Sequence, residues 1–337
     1  MLKIDAFTHI WPKPFHDALI AHVGETTDIT RRSEAVPMMT DLDRRFAVMD
    51  MFEDYRQILS LASPPFEKYA EPAKAAELAR IASDSCADLV DRHPDRFPGF
   101  IGTAPMSDPD AAVEEARHCI EDLGALGMQI FTNVSGRPLD RPEFLPFFEY
   151  MAGSGKPVWM HPARGANFAD YLSEEQSEYE IWWTFGWPYE TSAAMARMVF
   201  SGLFDRFPAL RVITHHAGGM VPFFEGRVGP GWDQMGARTT DRDLAAVRQG
   251  LKRSHLDYFR SFVADTASFG SRRAIEHARD FFGADNVVFA SDAPFDPEGG
   301  PMYIRETIRV IEEMGLSDAE KAALYHGNIA RLTGLRL

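Results

Sequence analysis

Three histidines and one aspartate, far apart in the chain, stand at the ends of short apolar runs that are typical of β-strands. They are His9, His161, His216 and Asp292. Imidazole and carboxylate groups that meet in one pocket suit a borderline divalent metal such as zinc, or manganese where oxygen ligands dominate. A lone histidine of this kind is more often a packed core residue than a ligand, but four polar residues at equivalent strand ends indicate a shared site. The pattern therefore predicts an enzyme.

A closed barrel of parallel strands would bring these four residues together, because the carboxyl ends of all its strands face the same way. Short apolar runs alternate with helical patterns along the whole chain and provide eight strand candidates. We therefore predict an α/β fold, a (β/α)8 TIM barrel. A doubly wound open sheet is the alternative. It is disfavoured because the candidate residues come from both the first and the last strand, which barrel closure brings together.

Two segments interrupt this alternation and predict insertions after strands 1 and 5. Residues 10–50 lie between the first two strands, and we expect them to form helices or a cap. Residues 162–189 carry many aromatic side chains, which either add a hydrophobic layer to the barrel or line the mouth of the site. These aromatic residues are Phe168, Tyr171, Tyr179, Trp182, Trp183, Phe185, Trp187 and Tyr189. Since no repeat or linker separates the segments, we predict a single domain over residues 1–337.

Composition restricts the class of protein further. The net charge of −15 argues against a nucleic-acid partner, because phosphate binding needs a basic surface. No apolar run approaches the roughly 18 residues that cross a bilayer, so no membrane span is predicted. Cys86 and Cys119 are the only cysteines in the sequence and lie within helical patterns, which fits a reducing compartment. Because the first strand begins almost at residue 1, we expect no signal peptide and a cytoplasmic location.

Short motifs at the predicted strand ends resemble the amidohydrolase superfamily, and within it the aminocarboxymuconate-semialdehyde decarboxylase-like branch. That branch also includes γ-resorcylate decarboxylase, related aromatic acid decarboxylases, and some hydrolases and hydratases. The matching motifs follow the expected order over nearly the whole chain. They are Ile-Asp-Ala-Phe-Thr-His at 4–9, Val-Trp-Met-His-Pro at 158–162, Trp-Pro-Tyr-Glu-Thr at 187–191, His-Ala-Gly-Gly at 216–219, Asp-Thr-Ala at 265–267, Ser-Asp-Ala-Pro-Phe at 291–295 and Gly-Asn at 327–328.

The resemblance implies one divalent metal at the mouth of the barrel, with zinc expected first and manganese second. It implies that His9, His161 and Asp292 are the ligands, and that His216 is the acid or base beside them. Asp292 would share the acid–base work. Relatives carry His or Glu two residues before His9, whereas this chain has Phe7. Three protein ligands and a water still suffice for a catalytic zinc.

Two arginines are candidates for binding an anionic substrate. The resemblance implies that Arg227, eleven residues beyond His216, reaches a substrate carboxylate across the interface of a homodimer or larger homo-oligomer. Arg164 lies three residues after His161, on a loop that we expect to face the mouth. Each could instead form a surface ion pair.

Four other polar residues are expected to be structural. Strand alternation predicts that His215 and His216 point to opposite faces, which would leave His215 to pack or to support the site. Arg44 and Arg45 precede a helical pattern. Asp265 ends the seventh strand and would either support the site or cap the following helix.

Together these features predict a metal-dependent carboxy-lyase that acts on a small aromatic or unsaturated carboxylic acid. A hydrolase, hydratase or lactonase of the same superfamily is the main alternative, because the same residues would activate a metal-bound water. A binding protein with a decayed metal site is the third possibility, and Phe7 motivates it.

Overall fold

The computed structural model describes residues 1–24, 28–62 and 64–337. Within these ranges, eight strand positions follow one another around a barrel, and all the neighbouring strands that pair are parallel. The strands are β1 (Lys3–Ile10), β2 (Tyr55–Leu61), β3 (Gly99–Phe100 and Gly102–Thr103), β4 (Met128–Phe131), β5 (Val158–His161), β6 (Val212–Thr214), β7 (Val263–Asp265) and β8 (Val287–Val288). A small antiparallel pair, Asn133–Val134 with Arg137–Pro138, follows β4.

The barrel closes between β1 and the chain that follows β8. The N–H of Ala6 donates to the carbonyl oxygen of Phe289 at 2.9 Å, and the N–H of His9 donates to that of Ala293 at 2.8 Å. Closure brings the first and last strand positions side by side, which an open sheet cannot do. The predicted (β/α)8 barrel is therefore confirmed.

Helices cover the outside of the barrel between successive strands, as expected where parallel strands need long crossover connections. The α-helices are Lys13–Val23, Asp28–Glu34, Leu42–Met49, Pro72–Arg92, Pro109–Arg117, Leu145–Ser154, Ile181–Thr184, Gly186–Phe200, Leu203–Arg206, Leu244–Gln249, His255–Arg260, Arg272–Phe282, Pro301–Glu313, Asp318–Ala322 and Asn328–Thr333. Three of them lie in the long segment between β1 and β2, and the segment between β5 and β6 holds three more. Among the described helices, none combines the length and the apolar character needed to cross a bilayer.

Alternation along the strands sorts side chains into two hydrophobic cores. On β5, Trp159 belongs to the cluster of the barrel interior, whereas Val158 and Met160 belong to the larger cluster shared with the helices. On β6, Ile213 faces the interior and Val212 faces the helices. A polar residue at the end of a strand therefore reaches the barrel mouth when it continues the inward-facing series.

A buried arginine connects the β1–β2 segment to the barrel. Arg45, on the helix Leu42–Met49, is fully buried and donates to the carbonyl oxygen of His9, to Gln57 Oε1 at 2.6 Å and to the carbonyl oxygen of Met38 at 3.3 Å. Burial lowers the pKa of this guanidinium to about 10, so it keeps its charge at neutral pH. Arg45 thereby fixes the backbone of the strand that carries His9.

We predict that Arg45→Met lowers the free energy of unfolding by about 1–3 kcal/mol, because the mutation leaves buried oxygen acceptors without a donor. Arg44→Met is the matched control, since Arg44 is exposed and its loss should change stability by less than about 0.5 kcal/mol. Urea unfolding followed by circular dichroism measures both values. Equal stability of the two variants would contradict a structural role for Arg45.

Candidate active site

The polar residues predicted to share a site lie at the same end of the barrel. His9 Nε2 is 3.0 Å from Asp292 Oδ1, and His216 Nε2 is 3.4 Å from Asp292 Oδ2. The ring centroid of His161 is 5.3 Å from that of His9 and 6.2 Å from that of His216. Three imidazoles, from β1, from β5 and from the chain after β6, therefore meet around the carboxylate of Asp292, which follows β8.

His215 lies at the centre of this cluster, and the sequence-based expectation that it points away from His216 is wrong. His215 Nε2 is 3.2 Å from Asp292 Oδ1, and the two adjacent imidazole centroids are 3.8 Å apart. His215 continues the inward series of Ile213, so alternation already directs it into the barrel. His216 enters for another reason: β6 has ended, and the backbone at His216 has a φ of 56°, which turns the chain back towards the mouth.

Two groups of side chains place possible ligand atoms within 4.8 Å of one another. The first is His9, His161 and His215, and the second is His215, His216 and Asp292. His215 belongs to both groups. The structure thus brings His9, His161 and Asp292 to one cluster, with His215 between them.

The donor set fits a divalent cation. His9 Nε2 is buried and has no hydrogen-bond partner of suitable geometry among the described residues, although Asp292 Oδ1 lies 3.0 Å away. An unpaired buried nitrogen costs free energy unless something binds it, and a cation between the nitrogen and the carboxylate would bind both lone pairs. Imidazoles with one carboxylate are an ordinary donor set for zinc and are also found with manganese.

Hydrogen bonds orient the ring nitrogens of the cluster. His9 Nδ1 is 3.1 Å from Ser60 Oγ, and His161 Nδ1 donates to the carbonyl oxygen of Pro162 at 2.7 Å. These contacts occupy Nδ1 in both rings and leave Nε2 for a ligand. Histidines that bind metals are typically held in this way by their second nitrogen.

Asp265, the last residue of β7, holds His215. Its Oδ2 accepts a hydrogen bond from His215 Nδ1, and its Oδ1 accepts one each from the N–H groups of Ala217 and Ala267, both at 3.0 Å. The carboxylate is fully buried, so these donors offset the cost of removing it from water. Asp265 therefore supports the site through His215.

Burial and neighbouring charges set the protonation states. Burial lowers the pKa of His161 well below its usual range, and the surrounding histidines lower it further. Burial alone would raise the pKa of Asp292, but His215 and the other histidines hold it well below its ordinary value. For His215, burial is outweighed by Asp265 and Asp292, which raise its pKa to about 9. A neutral imidazole at 161 and an ionised carboxylate at 292 are the forms that bind metals.

Asp5 is not available as a ligand. It is fully buried below the cluster and accepts hydrogen bonds from Tyr55 Oη at 2.6 Å and from the N–H and hydroxyl of Ser291. Burial raises its pKa to about 6. These hydrogen bonds fix the backbone of Ser291, next to Asp292. Asp5 therefore helps to position Asp292 and is not itself a ligand.

A cavity of about 460 Å³ opens above His161 and Asp292, within the range of small-molecule sites. Four aromatic residues of the segment after β5 line it: Tyr179, Trp182, Trp183 and Trp187. Phe269, Phe295 and Tyr303 add further aromatic surface, and Trp187 stacks on His216 with ring centroids 5.9 Å apart. The other four aromatic residues of the segment, Phe168, Tyr171, Phe185 and Tyr189, do not line this cavity.

The arginines singled out by sequence lie outside this cavity in the described chain. Arg164 pairs with Glu190 at 3.1 Å and stacks over the ring of Phe168 at 4.9 Å. Arg227 is exposed. Neither lines the cavity that contains His161.

Sequence reasoning missed Arg32, which does line the cavity. Its Nη2 donates to the carbonyl oxygens of Phe295 at 3.0 Å and Asp296 at 3.4 Å, which holds the guanidinium at the mouth. Arg32 lies in the segment between β1 and β2, and no spacing relative to the histidines marks it. The only available signal was its place in the predicted cap.

Comparisons with known proteins agree with this architecture. The family model for amidohydrolases matches residues 4–335. The 2-amino-3-carboxymuconate-6-semialdehyde decarboxylase of Dictyostelium discoideum is 31% identical over 99% of this chain and 92% of its own length. The crystal structure of 5-carboxyvanillate decarboxylase from Sphingomonas paucimobilis is 27% identical, covers 99% of both chains and has a TM-score of 0.81.

A second similar solved structure contains a bound metal. It is a dihydroxybenzoic acid decarboxylase from Polaromonas sp. JS666 with bound manganese and the inhibitor 2-nitroresorcinol, 27% identical over 100% of this chain and 98% of that one, with a TM-score of 0.78. The family match and these relatives span nearly all of the chain, strand ends included. The chain therefore belongs to the amidohydrolase family, in its aminocarboxymuconate-semialdehyde decarboxylase-like branch.

Proposed function

We propose that this protein is a metal-dependent decarboxylase of a small aromatic or unsaturated carboxylic acid. One observation carries the proposal: a cluster of imidazoles and one carboxylate opens directly into a cavity lined by aromatic rings. Such a cavity binds a flat unsaturated ring or chain by stacking, while the cluster at its floor binds oxygen atoms. The relatives whose names specify decarboxylation support the same reaction.

His9, His161 and Asp292 would hold the divalent metal. When bound, the cation would supply the positive charge that holds the substrate carboxylate and a neighbouring oxygen. The excess of imidazole donors favours zinc, whereas the manganese in the Polaromonas relative supports manganese. Metal analysis of the purified protein decides between them.

His216 is the residue we propose for proton transfer. Decarboxylation breaks the bond between the carboxyl carbon and its neighbour, releases carbon dioxide and requires a proton at the carbon left behind. Asp292 is ionised and holds Nε2 of His216 at 3.4 Å, so it can fix the ring that delivers this proton. Trp187 stacks on His216 and Phe269 meets it edge-on, and these two rings would keep water from the reacting carbon.

Arginine would recognise the charge of the substrate. Arg32 presents its guanidinium to the cavity of its own subunit. Arg227 is exposed on the surface, and we propose that it enters the cavity of a neighbouring subunit in a homodimer. A guanidinium facing a carboxylate forms a charge-assisted, often bidentate pair. Arg164 is left with a structural role, because Glu190 already neutralises it.

The two cysteine thiols in the part of the chain that the structure describes support a location in a reducing compartment. Cys86 and Cys119 are both free and buried. Burial raises the pKa of the Cys86 thiol to about 12, which keeps it unreactive. We propose that the protein works in the cytoplasm.

The central test combines metal content with carbon dioxide release over a panel of hydroxybenzoates and muconate-like acids. We expect stoichiometric metal and release of carbon dioxide from at least one acid. His161→Ala should abolish both without changing the circular dichroism spectrum, because the barrel core does not depend on this ring. His118→Ala is the control and should retain both, since His118 lies on the outer surface between Asp84 and Asp122. Bound metal without carbon dioxide release from any acid would favour a hydrolase, and absence of both would indicate a decayed site.

A second prediction concerns His216. His216→Asn should lower kcat by roughly 10²–10⁴-fold, the usual contribution of a general acid–base group, while the metal remains bound. Asparagine is the suitable replacement because it tolerates the positive φ of this position. Rate measurements and metal analysis on the same preparation test this. An unchanged kcat would remove His216 from the reaction.

A third prediction links Arg227 to assembly. Arg227→Ala should weaken binding of the anionic substrate with metal content preserved, whereas Arg242→Ala, an exposed control, should have no effect. Mixing Arg227→Ala with Asp292→Ala subunits should restore part of the activity. One of the two sites in a mixed dimer then combines an intact Asp292 with the partner's intact arginine. An active monomer in sedimentation, or no recovery on mixing, would refute the shared site.

A further inference from the structure

Phe7 leaves the first strand with one possible ligand instead of two. Its phenyl ring is fully buried in the cluster, with its centroid 4.2 Å from that of His215, 5.1 Å from His9 and 5.9 Å from His161. A phenyl ring offers no lone pair to a cation. A fourth protein ligand would therefore come from another strand, and of the three histidines around Phe7 the nearest ring is that of His215.

The donor atoms around Asp292 converge on one oxygen. His9 Nε2 lies 3.0 Å and His215 Nε2 lies 3.2 Å from the same atom, Asp292 Oδ1. His161 joins these two histidines in a group whose ligand atoms all lie within 4.8 Å of one another. Bonds of about 2.0–2.1 Å to nitrogen separate two ligands of one ion by at most about 4.2 Å. The separations of 3.0 and 3.2 Å fall within that span, and the 4.8 Å limit of the three-histidine group requires only a small inward shift of the rings when an ion binds.

The other side of His215 is held in the way typical of a ligand histidine. Its Nδ1 donates to Asp265 Oδ2, and Asp265 is itself fixed by the N–H groups of Ala217 and Ala267. This carboxylate–histidine arrangement sets the ring orientation, as it does in zinc sites, and a bound cation would take the place of the proton that His215 Nε2 shares with Asp292 Oδ1. His216 has no comparable support, because its Nδ1 is buried without a partner among the described residues.

We propose that His215 is a further metal ligand, and that it replaces the first-strand donor that Phe7 does not provide. The inference rests on the proposed metal-dependent function and specifies the ligand set of that same site. His9, His161 and His215 then supply three imidazoles, and Asp292 supplies the carboxylate. A set with three imidazoles favours zinc over manganese, because softer nitrogen donors suit zinc and oxygen donors suit manganese.

The test measures zinc affinity of the metal-free full-length protein by competition with a chromophoric chelator. His215→Asn should lower the affinity by more than roughly 100-fold, because loss of an outer partner alone costs only 10–100-fold. Asp265→Asn measures the loss of affinity that follows when only the hydrogen-bond partner of His215 is changed. His255→Asn is the matched control, a buried histidine that contacts the carbonyl oxygen of Gly229 at 3.1 Å outside the site, and it should bind zinc like the wild type.

A double variant distinguishes a ligand from a residue needed only for folding. The double variant Phe7→His/His215→Asn has an imidazole on the first strand in place of the one lost at 215. It should bind zinc at least tenfold more tightly than His215→Asn alone. X-ray absorption of the zinc-loaded proteins should count three imidazoles in the wild type and two in His215→Asn.

These measurements distinguish failure of the ligand role of His215 from failure of the proposed metal-dependent function. A loss of zinc affinity in His215→Asn no greater than that in Asp265→Asn, or two imidazoles in the wild type, would overturn the ligand role while leaving the proposed decarboxylase intact. A wild-type protein that binds no metal at all would overturn the metal-dependent function itself.

Discussion

The contact between the first and last strands of the barrel is the constraint on which the site depends. Backbone hydrogen bonds from Ala6 and His9 to the chain after β8 place His9 beside Asp292, residues separated by almost the whole sequence. The buried Asp5 strengthens the same seam through Ser291, from within the barrel. The Asp292 carboxylate is tolerated in this dry position because neighbouring imidazoles offset the cost of burying its charge.

The cluster also illustrates how opposing electrostatic effects divide roles among similar side chains. Burial disfavours the charged form of every imidazole, yet His215 has a raised pKa and His161 a strongly lowered one. The difference comes from Asp265 and Asp292, which both contact His215, whereas His161 contacts a neutral carbonyl. Residues of one type thus acquire distinct chemistry from their immediate hydrogen-bond partners.

Much of the fold and part of the site could be predicted from the sequence, because strand periodicity and residue order carry that information. The eight strand positions and the meeting of His9, His161, His216 and Asp292 follow from apolar runs with polar ends. The place of His215 was mispredicted, since the alternation was counted from His216. That residue has already left the strand, with a positive φ that no local pattern announces. Arg32 was missed for a related reason: its position depends on how an irregular segment folds over the mouth.

Arg45 gives the segment between β1 and β2 an influence on the chemistry that its sequence does not suggest. The guanidinium binds the carbonyl oxygen of His9, so a buried hydrogen bond joins the helix Leu42–Met49 directly to the strand that carries the imidazole. Substitutions in that segment can therefore alter reactivity through the main chain, without any side chain of the site being changed. Residues that line the cavity can therefore change to suit other acids, while Arg45 keeps the backbone of His9 in place.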